Sequence, residues 1–195
     1  MHLDESGFSQ RPSIVRTWAP CGHTPIVRMA FNGCAPTESG PPSRPEGLRD
    51  WKRLSVIGAL AVAPDLSRVR TFLSPKPGSV DGPTVIVFRR SLRRHVHPPA
   101  LLVWDRLPAQ VSRLTGEWLA SQRHWLEVEW LPPYAPELNP VEYLWSHLDS
   151  THLANFAPHD LCQLEAQVRR GIRQVRRTDD LAFAFLKHSG LYPQV

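Results

Sequence analysis

Ala100-Leu-Leu-Val-Trp-Asp105 is a short uncharged apolar run that stops abruptly at a carboxylate. A run of this length, with no polar alternation, suits a strand buried on both faces, as in a parallel sheet covered by helices. In open α/β sheets the working crevice lies at the carboxyl ends of such strands, which is where Asp105 would stand. A carboxylate left unpaired there is costly, so it calls for a partner such as a metal ion. A turn or helix-capping Asp before Pro108 explains the same residue, and this segment alone leaves both readings open.

On the carboxyl side, Pro108 to Gln122 carries Val111, Leu114, Trp118 and Leu119 at helical spacing. Leu126 to Leu131 (LEVEWL) alternates apolar and acidic residues and predicts another strand. Pro132-Pro133-Tyr134-Ala135-Pro136 can continue neither element. Asn139-Pro140 then reads as an N-cap followed by Pro at the first helical position. His159 to Val175 places Leu161, Leu164, Val168, Ile172 and Val175 on one helical face. Thr178-Asp179-Asp180 caps a last short helix with Leu181, Ala184 and Phe185, and Gly190 is its stop.

On the amino side, Leu54 to Ala63 (LSVIGALAVA) predicts a buried strand and Arg68 to Leu73 its partner, joined through a turn at Pro64-Asp65. Asp81-Gly82-Pro83 starts a helix in which Val85, Phe88, Leu92 and Val96 recur, with Arg89, Arg90, Arg93 and Arg94 between them. His2 to Phe8 reads as the end of a strand and Thr24 to Phe31 as a further strand. Gly33 to Asp50, with Pro36, Pro41, Pro42 and Pro45, cannot bury a core and reads as a flexible insertion. Strands first, then strand–helix–strand–helix, predicts a single α/β domain over residues 1–195, a mixed sheet with helices packed on it.

Two further carboxylates compete for the crevice. Glu142 stands three residues after Asn139, so a capping box accounts for it fully; a helix-borne carboxylate aimed at the same sheet edge as Asp105 accounts for it equally. Glu137 lies close by, on a loop that fixes its direction less. Asp4 and Glu5 are adjacent on the first strand, so their side chains leave on opposite faces and only one can join a site. A solvated terminal Asp is the plain alternative.

Bulk properties narrow the class. The 195 residues allow one domain with a real core. No apolar run approaches the ~18–20 residues that span a bilayer, and Met1 to Glu5 lacks the features of a secretory signal, so a cytoplasmic protein is expected. Cys21, Cys34 and Cys162 form no pair with metal-site spacing, and Cys21-Gly22-His23 alone is weak. The net charge of +5 favours a polyanionic partner. Arginine supplies nearly all of the positive charge, and its planar fork suits phosphate. Arg169, Arg170, Arg173, Arg176 and Arg177 cluster opposite the apolar face of their helix, where phosphate contact and simple solvation are equally served. Trp104, Trp130 and Trp145 flank the acidic positions and read as core anchors.

Four blocks then follow in order: Asp4-Glu-Ser-Gly-Phe8, Thr17-Trp-Ala-Pro-Cys-Gly-His-Thr-Pro25, Leu101-Leu-Val-Trp-Asp-Arg-Leu-Pro-Ala109 and Trp130-Leu-Pro-Pro-Tyr-Ala-Pro-Glu-Leu-Asn-Pro-Val-Glu-Tyr-Leu-Trp-Ser-His-Leu148. With Leu153-Ala-Asn-Phe156 and His188-Ser-Gly-Leu191, the chain resembles the catalytic domain of the Tc-one/mariner transposase superfamily, in its bacterial insertion-sequence branch. The resemblance implies a ribonuclease H-like fold and an acidic triad falling on Asp4, Asp105 and Glu142. The interval between the last two is close to the family's own, which favours the catalytic reading of Glu142.

The resemblance further implies that the triad holds two Mg²⁺ or Mn²⁺ ions. These would serve hydrolysis of DNA at the element's ends and attack of the freed 3′-hydroxyl on target DNA. Hard oxygen ligands agree with those ions rather than zinc. Arg106, Arg169, Arg173 and Arg176 are the candidate DNA contacts. Expected partners are the transposon ends, target DNA and a second copy in a homodimer, in a bacterial, nucleoid-associated setting. Only Met1, His2 and Leu3 precede Asp4, so the helix-turn-helix module of relatives is expected to be missing or separately encoded. Arg106 and Gln110 depart from the Asn and His of relatives. A truncated, inactive remnant that at most binds nucleic acid is the alternative, and a ribonuclease H-like nuclease of repair or RNA processing is a third reading.

Overall fold

Five strands form one sheet: β1 (His2–Ser9), β2 (Arg53–Val62), β3 (Val69–Pro77), β4 (Ala100–Trp104) and β5 (Leu126–Trp130). Their spatial order is β3-β2-β1-β4-β5. β1 runs antiparallel to β2 and β2 to β3, whereas β4 lies parallel to both β1 and β5. Among the described residues five α-helices accompany the sheet: α1 (Gly82–Leu92), α2 (Arg113–Gln122), α3 (Pro140–His147), α4 (Leu161–Arg177) and α5 (Asp179–His188). This structure, a computed structural model, describes residues 1–27, 53–105, 113–133 and 135–192.

Strand alternation sorts the side chains into two cores. From β2, Val56 and Leu60 pack with α3, α4 and α5 on one face, while Ile57 and Ala59 pack with α1 and α2 on the other. All four are essentially inaccessible to solvent. Burying side chains of the size of Leu60 and Ile57 contributes about 1.5–3 kcal/mol each, so a one-residue slip of β2 would exchange both layers at once. The uncharged apolar run of the sequence is therefore the spine of the molecule, covered on both sides.

Local signals place the ends of the elements. The hairpin between β2 and β3 closes through the Ala63 amide on the Arg68 carbonyl, with Asp65 accepting from the Ser67 amide and hydroxyl. Asp81 caps α1 by accepting from the Thr84 amide. Asp160 caps α4 through the Gln163 amide at 2.7 Å. Gly190 takes φ +70° just after α5, a left-handed stop that glycine adopts without strain. The α4 residues Leu164, Val168, Ile172 and Val175 are buried, as their spacing predicts.

The structure departs from sequence expectation at several points. Thr24 to Ile26 and Val27 carry no strand, and the rest of the proposed second strand, Arg28 to Phe31, lies outside the described residues, as does the Gly33–Asp50 insertion. The first helix ends at Leu92, short of Val96, where turn hydrogen bonds from Arg94 and His95 tighten the chain. Arg89, which the sequence sets between the apolar positions of this helix, is buried with them. α3 runs directly into a π-helical turn, Leu148–His152, which no periodicity signalled. Among the described residues no helix is long and apolar enough to cross a membrane.

Candidate active site

The parallel pairing of β1 with β4 brings two aspartates side by side. Leu3 is registered against Trp104, and both side chains enter the core on the α1–α2 face. The residues that follow, Asp4 within β1 and Asp105 just past the end of β4, therefore start toward the opposite face, where the antiparallel pairing of β1 with β2 gives way to its parallel pairing with β4. Asp4 is 2% exposed. Glu5 leaves on the other side, where it acts electrostatically on Arg89 of α1. Strand alternation thus decides between the two acidic neighbours in favour of Asp4.

Glu142 reaches the same place from α3. Asn139 caps that helix, its side chain accepting from the Val141 amide at 3.2 Å. The reciprocal arm of a capping box is absent: the Asn139 amide donates instead to the Pro136 carbonyl at 2.9 Å. Glu142 is consequently not consumed as a cap. Glu137 is exposed on a 3-10 turn, Pro136–Leu138, outside the carboxylate group.

The three carboxylates sense one another. Burial chiefly, then the charge of Glu142, and further the charge of Asp105, push the Asp4 carboxyl up to about 8 from its ordinary 3.8, against the pull of the Glu5 amide and the Trp145 indole. Glu142 is also raised, by burial first and by Asp105 second. Desolvation and like-charge crowding both disfavour the ionised forms. The structure thus brings Asp4, Asp105 and Glu142 into one electrostatic group. Among the described residues, however, no three His, Cys, Asp or Glu side chains are drawn together tightly enough to hold a metal ion as they stand.

Trp145, read from sequence as a core anchor, also touches the site, and Gly58 was not singled out at all. The Trp145 indole N–H donates to Asp4 Oδ2 at 2.9 Å, a buried bond between positions 141 apart in the chain. Gly58, the strand partner of Asp4, leaves the hollow that the indole fills; a Cβ there would stand 2.5 Å from Trp145 Cη2. The spacing of Trp145, one turn after Glu142, was the available signal. Behind the other face, the Arg89 guanidinium lies 3.7 Å from the Trp104 ring centroid and 5.3 Å from that of Trp118. Trp104 in turn stacks on Trp130 at 5.8 Å with ring planes 9° apart. Among the described residues all three guanidinium nitrogens lack hydrogen-bond partners, and burial lowers the group to about 9, with Glu5 opposing.

The proposed DNA-contacting arginines of α4 do not gather at the carboxylates. α4 packs on β2 and β3, toward the other edge of the sheet. On it Arg169 is paired with Glu165 through Nε and Nη2 at 2.8 and 2.6 Å. Arg176 donates to the Leu73 carbonyl at 3.1 Å, and Arg173 is exposed. Arg106 lies outside the described residues. A trough of about 410 Å³ at the open edge of β3 is lined by Arg68, Arg70, His95 and Arg176 among others.

Residues 1–165 match the family model described as DDE superfamily endonuclease. No curated protein matches. The fold is that of solved Mos1 transposase structures. The Mos1 paired-end complex with left transposon end superposes with a TM-score of 0.60 at 16% identity, covering 99% of this chain and 53% of that one. The mariner Mos1 paired end complex with Mg gives 0.59 at 15% identity, covering 98% and 53%. The isolated catalytic domain of Mos1 mariner transposase gives 0.51 at 19% identity, covering 73% and 71%. The chain thus spans about half the length of the Mos1 chains in the paired-end complexes.

Proposed function

The chain belongs to the DDE superfamily endonucleases, and on that premise we propose that it is the catalytic domain of a DNA transposase of the Tc-one/mariner type, in the bacterial insertion-sequence branch. The observation that carries this reading is the meeting of Asp4, Asp105 and Glu142 from β1, β4 and α3 at the seam of the sheet. In this reading the whole of 1–195 is one catalytic domain.

The donor set fits a hard divalent cation. It is all oxygen, it comes from three separate elements, and its members raise one another's affinity for protons, a repulsion that a cation relieves. Asp4, Asp105 and Glu142 would hold Mg²⁺ or Mn²⁺, two ions in the proposed active form. Bound there, such ions supply Lewis-acid neutralisation of phosphate charge and an activated oxygen nucleophile. The chain's own contribution is to bury Asp4 away from bulk water, to fix it through Trp145, and to bring Glu142 in on a capped helix. The reactions proposed are phosphodiester hydrolysis at the transposon ends and transfer of the 3′-hydroxyl into target DNA. No side chain need form a covalent link to DNA.

For the remaining partners the support is coarser. The Mos1 paired-end complex holds left transposon-end DNA, which supports DNA as substrate; a homodimer on DNA and a nucleoid-associated setting are part of the proposal. Among the described residues the carboxylates are not drawn to ligating distance, which favours a second reading, an inactive remnant that at most binds nucleic acid.

Incubation of supercoiled plasmid carrying candidate ends with Mg²⁺ or Mn²⁺ separates the two. Metal-dependent nicking abolished by Asp105→Asn is the expected result. Nicking by neither ion, with DNA binding intact, would establish the remnant.

A further inference from the structure

We propose that Trp145 is a positioning residue, whose indole N–H fixes Asp4 relative to Glu142 and thereby sets the affinity of the carboxylate site for a divalent cation. The proposal rests on the metal-binding role assigned above to those two carboxylates.

The geometry is specific. Trp145 is 5% exposed and Asp4 2%, so water cannot take over the 2.9 Å hydrogen bond between them. Trp145 lies on α3 three residues after Glu142, hence on the same side of the helix. One bond from α3 to β1 therefore constrains two of the three carboxylates together. By holding Oδ2 the indole also limits the carboxylate's rotation.

The ring is held for this task from two further sides. Phe8 meets it edge to face, with centroids 6.2 Å apart and planes at 74°. Gly58 lies beside Asp4 in the sheet register, and a Cβ there would stand 2.5 Å from Cη2 and 2.8 Å from Cζ2 of Trp145. A ring serving only to fill the core would need no glycine next to the aspartate and no N–H aimed at its carboxylate. The chemistry of the donor is equally pointed. Indole is neutral and does not titrate in water, so it orients Asp4 while leaving the negative charge available to a cation. Lysine or arginine in its place would neutralise the charge that the cation needs.

The test uses the full chain, with Mg²⁺ itself as the probe. Trp145→Phe keeps most of the ring and removes the donor; Gly58→Ala keeps the donor and crowds the ring. Titration calorimetry should show Mg²⁺ affinity about 10–100-fold weaker in each, the range for loss of a group that orients a metal ligand, while circular dichroism reports a retained fold. In the wild-type chain the Trp145 indole ¹H–¹⁵N resonance, assigned through its contacts with Phe8, should shift on Mg²⁺ addition and stop responding in Asp4→Asn. A merely structural tryptophan would not report the ion.

Mg²⁺ affinity within twofold of wild type in a folded Trp145→Phe would overturn the proposal, as would an indole resonance indifferent to bound metal. If Trp145→Phe does not fold, the resonance in the wild-type chain decides alone. Failure of the wild-type chain to bind Mg²⁺ at all would remove the metal site itself, and the positioning role with it.

Discussion

At the scale of single residues, the account turns on a buried acid whose proton is hard to remove. The Asp4 carboxyl sits at about 8 in the fold against 3.8 ordinarily, chiefly through burial and then through Glu142. Between those two values the folded chain binds the proton that the unfolded chain has released, so stability falls as pH rises from about 4 to about 8 and then levels. Asp4→Asn removes the titration while its amide oxygen can still accept from Trp145. In metal-free buffer, urea unfolding at pH 5.5 and 8.5 should show a decline for the wild type that is smaller in the variant by at least ~1 kcal/mol, the worth of roughly one pKa unit. A parallel decline in both proteins would place the titrating group elsewhere. Mg²⁺ favours the ionised form, so its stabilising effect on the wild type should be larger at pH 8.5 than at 5.5.

Elements carry the site as much as their side chains do. α3 delivers Glu142, and its first turn depends on Asn139. Asn139→Ala should cost about 1 kcal/mol of stability and weaken Mg²⁺ binding, measured by urea unfolding and calorimetry. Loss of stability with metal affinity unchanged would show that the helix start does not govern Glu142. The π-helical turn after α3 rests on α4, where Gly171 admits it: a Cβ at 171 would stand 2.7 Å from His152 Cδ2 and 2.8 Å from Leu148 Cδ2. Gly171→Ala should therefore destabilise by about 1–3 kcal/mol, seen as a lowered urea midpoint; an unchanged midpoint would mean the turn yields freely. The contrast shows what a sequence discloses. β2, the β2–β3 hairpin, the Asn139 cap and the apolar face of α4 follow from periodicity and capping within a few residues, and all were legible. The π turn arises from a glycine some twenty positions away, and Arg89 is buried because two tryptophans from other elements close on it. Neither leaves a local pattern.

Across the whole molecule, two sites of opposite charge lie apart. The carboxylates occupy the β1–β4 seam, whereas Arg70 and Arg176 line the trough at the open edge of β3, anchored to the carbonyls of His95 and Leu73. Each is seen to use one nitrogen in this way, and a phosphate role for the others is open to test. Substituting both with Gln should lower the salt slope of DNA binding by up to about two. An unchanged slope would leave them as charges that protect an exposed sheet edge. The triad's members were nominated from sequence mainly because ordered motifs resembled a family; their meeting could not be read from local pattern, since strand order β3-β2-β1-β4-β5 is decided by packing of two cores. Strand parity, once β1 and β4 are registered through Leu3 and Trp104, does the rest.

The most direct test of the central claim is to locate the metal. Crystals of the chain grown with Mn²⁺ and measured for anomalous scattering should show the ion among Asp4, Asp105 and Glu142, with oxygens of at least two of them as ligands. Anomalous density held elsewhere, or none at the β1–β4 seam in crystals soaked at saturating Mn²⁺, would contradict the account.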